Sequence, residues 1–362
     1  MSFYDEVQSG LEGVVAFATE IAEAERDSTT IRYRGVDLED LVGKVPYEQV
    51  WGLLVDGQLL PGLPPAEPNA LGVHSGDQRA DVQAALAILG PQWGFKPLLE
   101  ISDQVARDDL ARTSVMALSF VAQSARGIGQ PPVSQTVIDE GATIPERFLL
   151  RWRGEADPRH VRAIDAYWTV AAEHGMSSST FTARVVASTG ADVTAAMSAA
   201  VGALSGPLHG GAPPRVLAML DEAGRADDMT AFVTAKLDRG ERLMGFGHRV
   251  YRSEDPRARI LRRLANELAA PRLQAAEAFE AAALAELQAR HPGRVLATNM
   301  EFWAAVLLDF AEVPVQLFTP MFACARVAGW SAHIMEQKRE HRMIRPQAVY
   351  VGAGPRSVSE VE

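Results

Sequence analysis

The residues most able to do chemistry lie between positions 243 and 257. Met244-Gly245-Phe246-Gly247-His248 runs through Arg249-Val250-Tyr251 to Asp255-Pro256-Arg257. Gly245 and Gly247 free the backbone on both sides of Phe246, so the loop can bend sharply and admit a ligand to the main chain. His248 follows as a neutral donor or proton carrier near pH 7. Pro256 is favoured at the first position of a helix, and Asp255 is a good N-cap before it. One imidazole on a loop and one guanidinium at a helix start suit a carbonyl next to a carboxylate. The imidazole would polarise the C=O, and the guanidinium would hold the carboxylate in its fork. The same spacing also fits a glycine loop with a surface His and a surface Arg.

Two other histidines stand at helix edges. His174 precedes Gly175, a natural C′ residue, so it reads as the C-terminus of a helix whose dipole favours imidazolium. His209 lies in Gly206-Pro207-Leu208-His209-Gly210-Gly211, where the glycines leave room for close ligand approach. The histidine spacings match no short metal-ligand motif, and no metal is expected. Glu301 is the candidate carboxylate. Its competing reading is structural: Thr298-x-x-Glu301 before an apolar run is a capping box.

These side chains need helices to position them. The pattern is helical over 80–89, 110–125, 137–152, 159–174, 191–204, 213–223, 228–239, 256–268, 274–290, 299–310 and 319–341, with apolar residues at three- and four-residue spacing in 110–125 and an Ala- and Gly-rich run in 191–204. Shorter helices are expected at 36–41 and 47–56, and a proline-rich loop at 60–68. Residues 14–17 and 30–34 are β-prone. The fold class is therefore mainly α, with helices packed ridge into groove.

Composition narrows the function. The length of 362 residues favours about two domains. Net charge of −11 argues against general nucleic-acid binding, so an anionic substrate requires locally gathered arginines. No apolar run is long enough to span a bilayer, and residues 1–6 lack the features of a signal peptide. A single cysteine, Cys324, permits no intrachain disulfide and suits a reducing cytoplasm.

The motifs, taken in order, resemble those of the citrate synthase family. They are Glu173-His174 followed by Ser-Thr-Phe; Gly206-Pro-Leu-His209-Gly-Gly; Gly245-Phe-Gly-His248-Arg-Val-Tyr with Asp255-Pro-Arg257; Asn299-Met-Glu301-Phe; Ala325-Arg326-Val-Ala-Gly-Trp330; and Ile344-Arg345-Pro346. The chain most resembles the short, dimeric bacterial form that includes citrate and 2-methylcitrate synthases.

That resemblance implies an all-helical fold with the active site between a large and a small domain. Residues 1–214 and 321–362 would form the large domain, with the C-terminal arm, and 215–320 the small one. It implies an acyltransferase that condenses acetyl-CoA with oxaloacetate in the tricarboxylic acid cycle, with no cofactor beyond its substrates. Glu301 would take the methyl proton, His209 would donate to the thioester oxygen, and His248 to the ketone. His174, Arg257, Arg326 and Arg345 would bind oxaloacetate, Arg345 reaching across a homodimer interface. The CoA adenosine would lie near the backbone of Met244, Gly245, Phe246 and Gly247.

Three positions depart from the family pattern: Glu301 stands for the usual Asp, Ser177 for a frequent Asn, and Pro213 for another Asn. The motifs do not separate propionyl-CoA from acetyl-CoA, since one methylene is worth only about 1–3 kcal/mol in a pocket. A weakly active homologue that binds oxaloacetate or CoA for regulation is the third reading.

Overall fold

The computed structural model describes residues 7–11, 13–23, 30–248, 251, 254–294 and 296–361, without the side chains of 212–214. Fifteen α-helices are present among the described residues, with one three-stranded antiparallel sheet. The strands β1 (Ala22–Glu23), β2 (Arg32–Tyr33) and β3 (Val36–Asp37) pair in sequence order. The β-prone stretch 14–17 forms no strand, and Val15 is exposed; pairing begins at Ala22 instead.

The helices are α1 (Leu38–Leu41), α2 (Tyr47–Asp56), α3 (Gln78–Trp93), α4 (Asp103–Arg126), α5 (Gln135–Asp139), α6 (Ile144–Arg153), α7 (Pro158–Ala171) and α8 (Ser178–Ser188). Then follow α9 (Val193–Leu204), α10 (Ala212–Ala223), α11 (Met229–Asp238), α12 (Pro256–Glu267), α13 (Leu273–Arg290), α14 (Met300–Phe310) and α15 (Phe318–Glu340). No helix of the described residues is long and apolar enough to cross a membrane.

The helices also depart from expectation: the one expected from residue 36 begins at Leu38, after Val36–Asp37 have paired as β3. The single helix expected over 137–152 is two, α5 and α6. Thr143 caps α6 with its side chain on the Glu146 N–H, and a Cβ at Gly141 would lie 3.0 Å from the Arg147 backbone nitrogen, so the chain must turn there. Helix α8 was not foreseen. Its first turn, Ser177-Ser178-Ser179-Thr180, has loop composition, yet Ser177 is an extended N-cap accepting from the Thr180 N–H.

Helix α15 lies at the centre. It packs against α2, α4, α7, α8 and α9 and is buried on every side over most of its length. Such a helix needs no amphipathic stripe. Gly329 lets the chain after α7 cross it. A Cβ there would meet Glu173 Oε2 at 2.1 Å and the Ala172 carbonyl oxygen at 2.6 Å. Thus α15 fixes the height of the turn that carries His174.

Further along α15, a polar network ties in α8. Arg184, fully buried, donates to Glu336 (2.5 Å), Glu340 (2.8 Å), Gln337 (3.0 Å) and His333 Nδ1 (3.1 Å). Arginine can only donate, so His333 Nδ1 is an acceptor and its proton sits on Nε2. That nitrogen lies 3.3 Å from Glu173 Oε1.

Candidate active site

A cleft of about 510 Å³ opens between two groups of elements. One wall carries His174 and Ser177 from the turn leading into α8, His209 from the loop before α10, and Phe322 and Arg326 from α15. The other carries Gly247 and His248, Arg257 from α12, and Asn299, Met300 and Glu301 from α14. Residues distant in sequence therefore face one space.

The second wall is assembled by backbone pairing. Gly247 N donates to the Ala297 carbonyl (2.7 Å), Asn299 N to the Gly245 carbonyl (2.9 Å), and Asn299 Nδ2 to the Gly247 carbonyl (2.9 Å). These bonds bring the His248 loop alongside the N-terminus of α14. Gly245 and Gly247 have positive φ, +88° and +82°. The reason for Gly245 is packing: a Cβ would lie 2.8 Å from Phe302 Cβ. Room for a ligand is not what requires it. Gly210, beside His209, is also explained by packing, since a Cβ would meet the Leu204 carbonyl oxygen at 2.5 Å.

Asp255 joins the two helix starts. It caps α12 at Arg257 N (3.1 Å) and also accepts from Met300 N, the first residue of α14, at 2.9 Å. No capping box forms at Thr298-x-x-Glu301. The N-cap is Asn299, its side chain turns to Gly247, and the Thr298 hydroxyl is buried without a hydrogen-bond partner among the described residues. Because Asp255 does the capping, Glu301 is left to face the cleft. Its Oε2 is enclosed and has no partner among the described residues. Burial pushes its pKa up, and the Asp255 charge adds to this, outweighing the opposing pull of Arg257.

Arg257 differs from expectation. Its fork is taken: Nε and Nη2 donate to the two Asp255 oxygens, both at 2.9 Å. Both side chains are nearly inaccessible, at 3% and 1%. Burial works against both charges, yet their mutual attraction raises the Arg257 pKa and lowers that of Asp255. The fork therefore serves the protein, and only the remaining N–H groups are available to a ligand.

One of those meets His248. Arg257 Nη2 lies 3.1 Å from His248 Nε2, while the Tyr251 backbone N–H donates to His248 Nδ1 at 3.2 Å. A neutral imidazole accepts at one nitrogen only. Arg257 Nη2 and the Tyr251 N–H can both only donate, so in the unliganded cleft they compete for the one acceptor nitrogen of the ring. An oxygen placed between Arg257 Nη2 and Nε2 would take the arginine proton and let Nε2 donate, with Nδ1 accepting from Tyr251. Burial, then Arg257, pushes the His248 pKa down to about 4, so the ring is neutral at pH 7.

His209 is neutral for similar reasons: burial and Arg326 push it down to about 4. Its Nε2 lies 2.9 Å from Ser179 Oγ, which accepts from Trp330 Nε1 at 3.2 Å. Tryptophan can only donate, so Ser179 keeps its own proton for His209 Nε2 or for Ser177 Oγ, 3.3 Å away; when it goes to the imidazole, Nδ1–H is the donor of that ring.

His174 is not a helix-terminal imidazolium. Helix α7 stops at Ala171, and burial, with Arg257, Arg326 and His248 nearby, drives its pKa well below the ordinary value. Arg326 is buried at 3% exposure, and its Nε and Nη1 have no partner among the described residues. Glu173 opposes the downward pull of burial on its pKa.

Some expected residues stay apart. Arg345 is exposed in the segment after α15 and does not line the cleft of its own chain. Of Met244, Gly245, Phe246 and Gly247, only Gly247 reaches the cleft; Phe246 packs against Phe302 and Phe279, with ring centroids 5.4 and 6.1 Å away. Ser177 lies on the cleft wall. Arg249 and the Pro213 side chain lie outside the described residues. Among those residues, no group of three or more His, Cys, Asp and Glu is placed to hold a metal ion.

Sequence reasoning missed Ser179, Tyr251 and the second task of Asp255. Ser179 and Tyr251 sat inside quoted motifs, but only a partner distant in sequence gives each its task.

Comparisons with known proteins give the family. The family described as "Citrate synthase, C-terminal domain" matches residues 10–347. "Putative citrate synthase 2" of Mycobacterium tuberculosis is 64% identical, covering 98% of this chain and 95% of that one. A 2-methylcitrate synthase of Shewanella oneidensis is 32% identical, covering 97% and 96%. The crystal structure of citrate synthase from Pyrobaculum aerophilum superposes with a TM-score of 0.79 at 27% identity, covering 98% of this chain and 95% of that one. With its motifs, its helical fold and these relatives in agreement, the chain belongs to the citrate synthase family of acyltransferases.

Proposed function

We propose that the protein is a cytoplasmic citrate synthase that condenses acetyl-CoA with oxaloacetate and hydrolyses the resulting thioester to citrate and CoA. One observation carries this reading most strongly. Glu301, with one unpartnered carboxylate oxygen, lines the same cleft as two neutral histidines.

A thioester methyl is a weak acid, so a base and a donor must act on it together. Glu301 takes the methyl proton, while His209 Nδ1–H bonds the thioester oxygen as it gains charge. The carbon so formed attacks the ketone of oxaloacetate. His248 Nε2–H and Arg257 Nη2–H meet the developing alkoxide, an oxygen placed between those two nitrogens. Such preorganised donors are each worth about 10²–10³ in rate. Arg326 and His174 hold substrate carboxylates, and the CoA adenosine lies near the 244–247 backbone. No cofactor is required.

The 2-methylcitrate synthase among the relatives keeps propionyl-CoA as a second donor. The test is thiol release from acetyl-CoA and propionyl-CoA, each with and without oxaloacetate. Release dependent on oxaloacetate is expected and its rates rank the donors; none with either donor would leave a binding protein.

The protonation states predict the acid limb of the pH profile. Glu301 works ionised, and its pKa is raised. Activity should fall, as pH drops, through a midpoint above the ordinary carboxylate range, before the histidines gain protons near 4. A limb that follows histidine protonation near 4 would count against Glu301 as the base.

The division into a large domain, 1–214 with 321–362, and a small domain, 215–320, belongs to the same proposal. So does a homodimer in which Arg345 completes the partner's cleft, supported by its absence from the cleft of its own chain. Mixing Arg345→Ala and His248→Ala chains should restore part of the activity, because one site of each heterodimer escapes both defects. No recovery after subunit exchange would refute the shared site.

A further inference from the structure

We propose that Tyr251 is a positioning residue for the oxaloacetate side of the cleft, its hydroxyl holding His174 as the tautomer protonated at Nδ1. This rests on the citrate synthase reading only for its effect on substrate binding; the tautomer itself belongs to the unliganded protein.

Tyr251 Oη lies 2.9 Å from His174 Nε2. The residue is 6% exposed, and its ring sits against both imidazoles, with centroids 5.4 Å from His174 and 4.8 Å from His248. Either partner could donate. If His174 donated from Nε2, the phenol proton would have no acceptor among the described residues, and burying it unpaired costs about 1–3 kcal/mol. The phenol therefore donates. Its pKa is pushed up to about 12 by burial, so it keeps that proton across the working range. With His174 held neutral by burial and the nearby cations, Nε2 accepts and the single ring proton resides on Nδ1.

This matters for an anionic substrate. A neutral imidazole offers a carboxylate only its N–H, so the tautomer decides which face of the ring can bind. Tyr251 also directs its backbone N–H at His248 Nδ1, opposing the Arg257 N–H that faces Nε2 of the same ring. One residue thus touches two histidines, one by side chain and one by main chain. Phenylalanine would keep the second contact and lose the first.

Long-range ¹H–¹⁵N correlation spectra of the substrate-free enzyme labelled with ¹⁵N-histidine test this. The chain has eight histidines, and the His174 signals are assigned by their loss in His174→Asn. The wild type should show the Nδ1–H pattern for His174. Tyr251→Phe should shift it toward Nε2–H, raise the oxaloacetate KM roughly 5-fold or more, as expected for one hydrogen bond, and leave kcat within about 3-fold. An Nε2–H or imidazolium pattern in the wild type overturns the proposal, as does an unchanged pattern in Tyr251→Phe. Should thiol-release assays show no synthase activity while the tautomer responds as stated, the functional reading fails and the role of Tyr251 in setting the ring stands.

Discussion

Glu301→Gln should cut kcat by at least about 10²-fold, the low end of what a positioned base contributes, and leave the melting temperature near wild type. Glutamine has the same shape and can serve in a capping box, but no capping box exists to preserve. Asp255 caps α14 in its place. The amide cannot take a methyl proton, so the loss falls on turnover. Removing the charge also removes a desolvation cost, because Oε2 is enclosed without a partner among the described residues. The variant should therefore be as stable as the parent or slightly more so. Oxaloacetate binding should change little, since Arg326, Arg257 and His174 remain.

Glu301→Asp restores the residue usual in the family and should keep measurable activity. Yet one methylene withdraws the carboxylate by about 1 Å, and a misplacement of that size can cost on the order of 10²-fold. The decisive pair of measurements is kcat and melting temperature of the Gln variant. A kcat within a few-fold of the parent would remove Glu301 from the chemistry.

The sequence showed the helices whose apolar residues keep a regular spacing, such as α2, α12 and α14. It concealed α8, because Ser177–Thr180 has loop composition and becomes helical only through the Ser177 cap and the packing of α8 against α15. It showed the histidines and arginines as types within motifs, while their charge states depended on burial. His174 illustrates this: a helix end predicts imidazolium, whereas enclosure among Arg257, Arg326 and His248 forbids it. The glycines misled in the same manner. Gly245 and Gly210 read as openings for a ligand, and each is required by a neighbour, Phe302 or the Leu204 carbonyl, that no local pattern announces.

Asp255→Ala should be the most damaging single change outside the reacting groups. Asp255 is buried at 1% exposure and accepts four hydrogen bonds: from Arg257 N, Nε and Nη2, and from Met300 N. Alanine leaves a buried guanidinium without its counter-charge and two backbone N–H groups without acceptors. Breaking a buried ion pair by removing one partner costs about 3–5 kcal/mol. Part of that loss should appear as a lower melting temperature, and part as a raised oxaloacetate KM, because Arg257 Nη2 would no longer be held against His248 Nε2. Arg257→Lys should fare little better, since an ammonium cannot supply the fork that Asp255 requires. The double variant Asp255→Ala/Arg257→Ala should be more stable than Asp255→Ala alone, because it removes the stranded charge, yet it should recover no activity. That split separates the two tasks of the pair. Equal melting temperatures for the single Asp255 variant and the wild type would show that the fork is not what holds Arg257. Recovery of KM in the double variant would show that Arg257 does not meet the substrate.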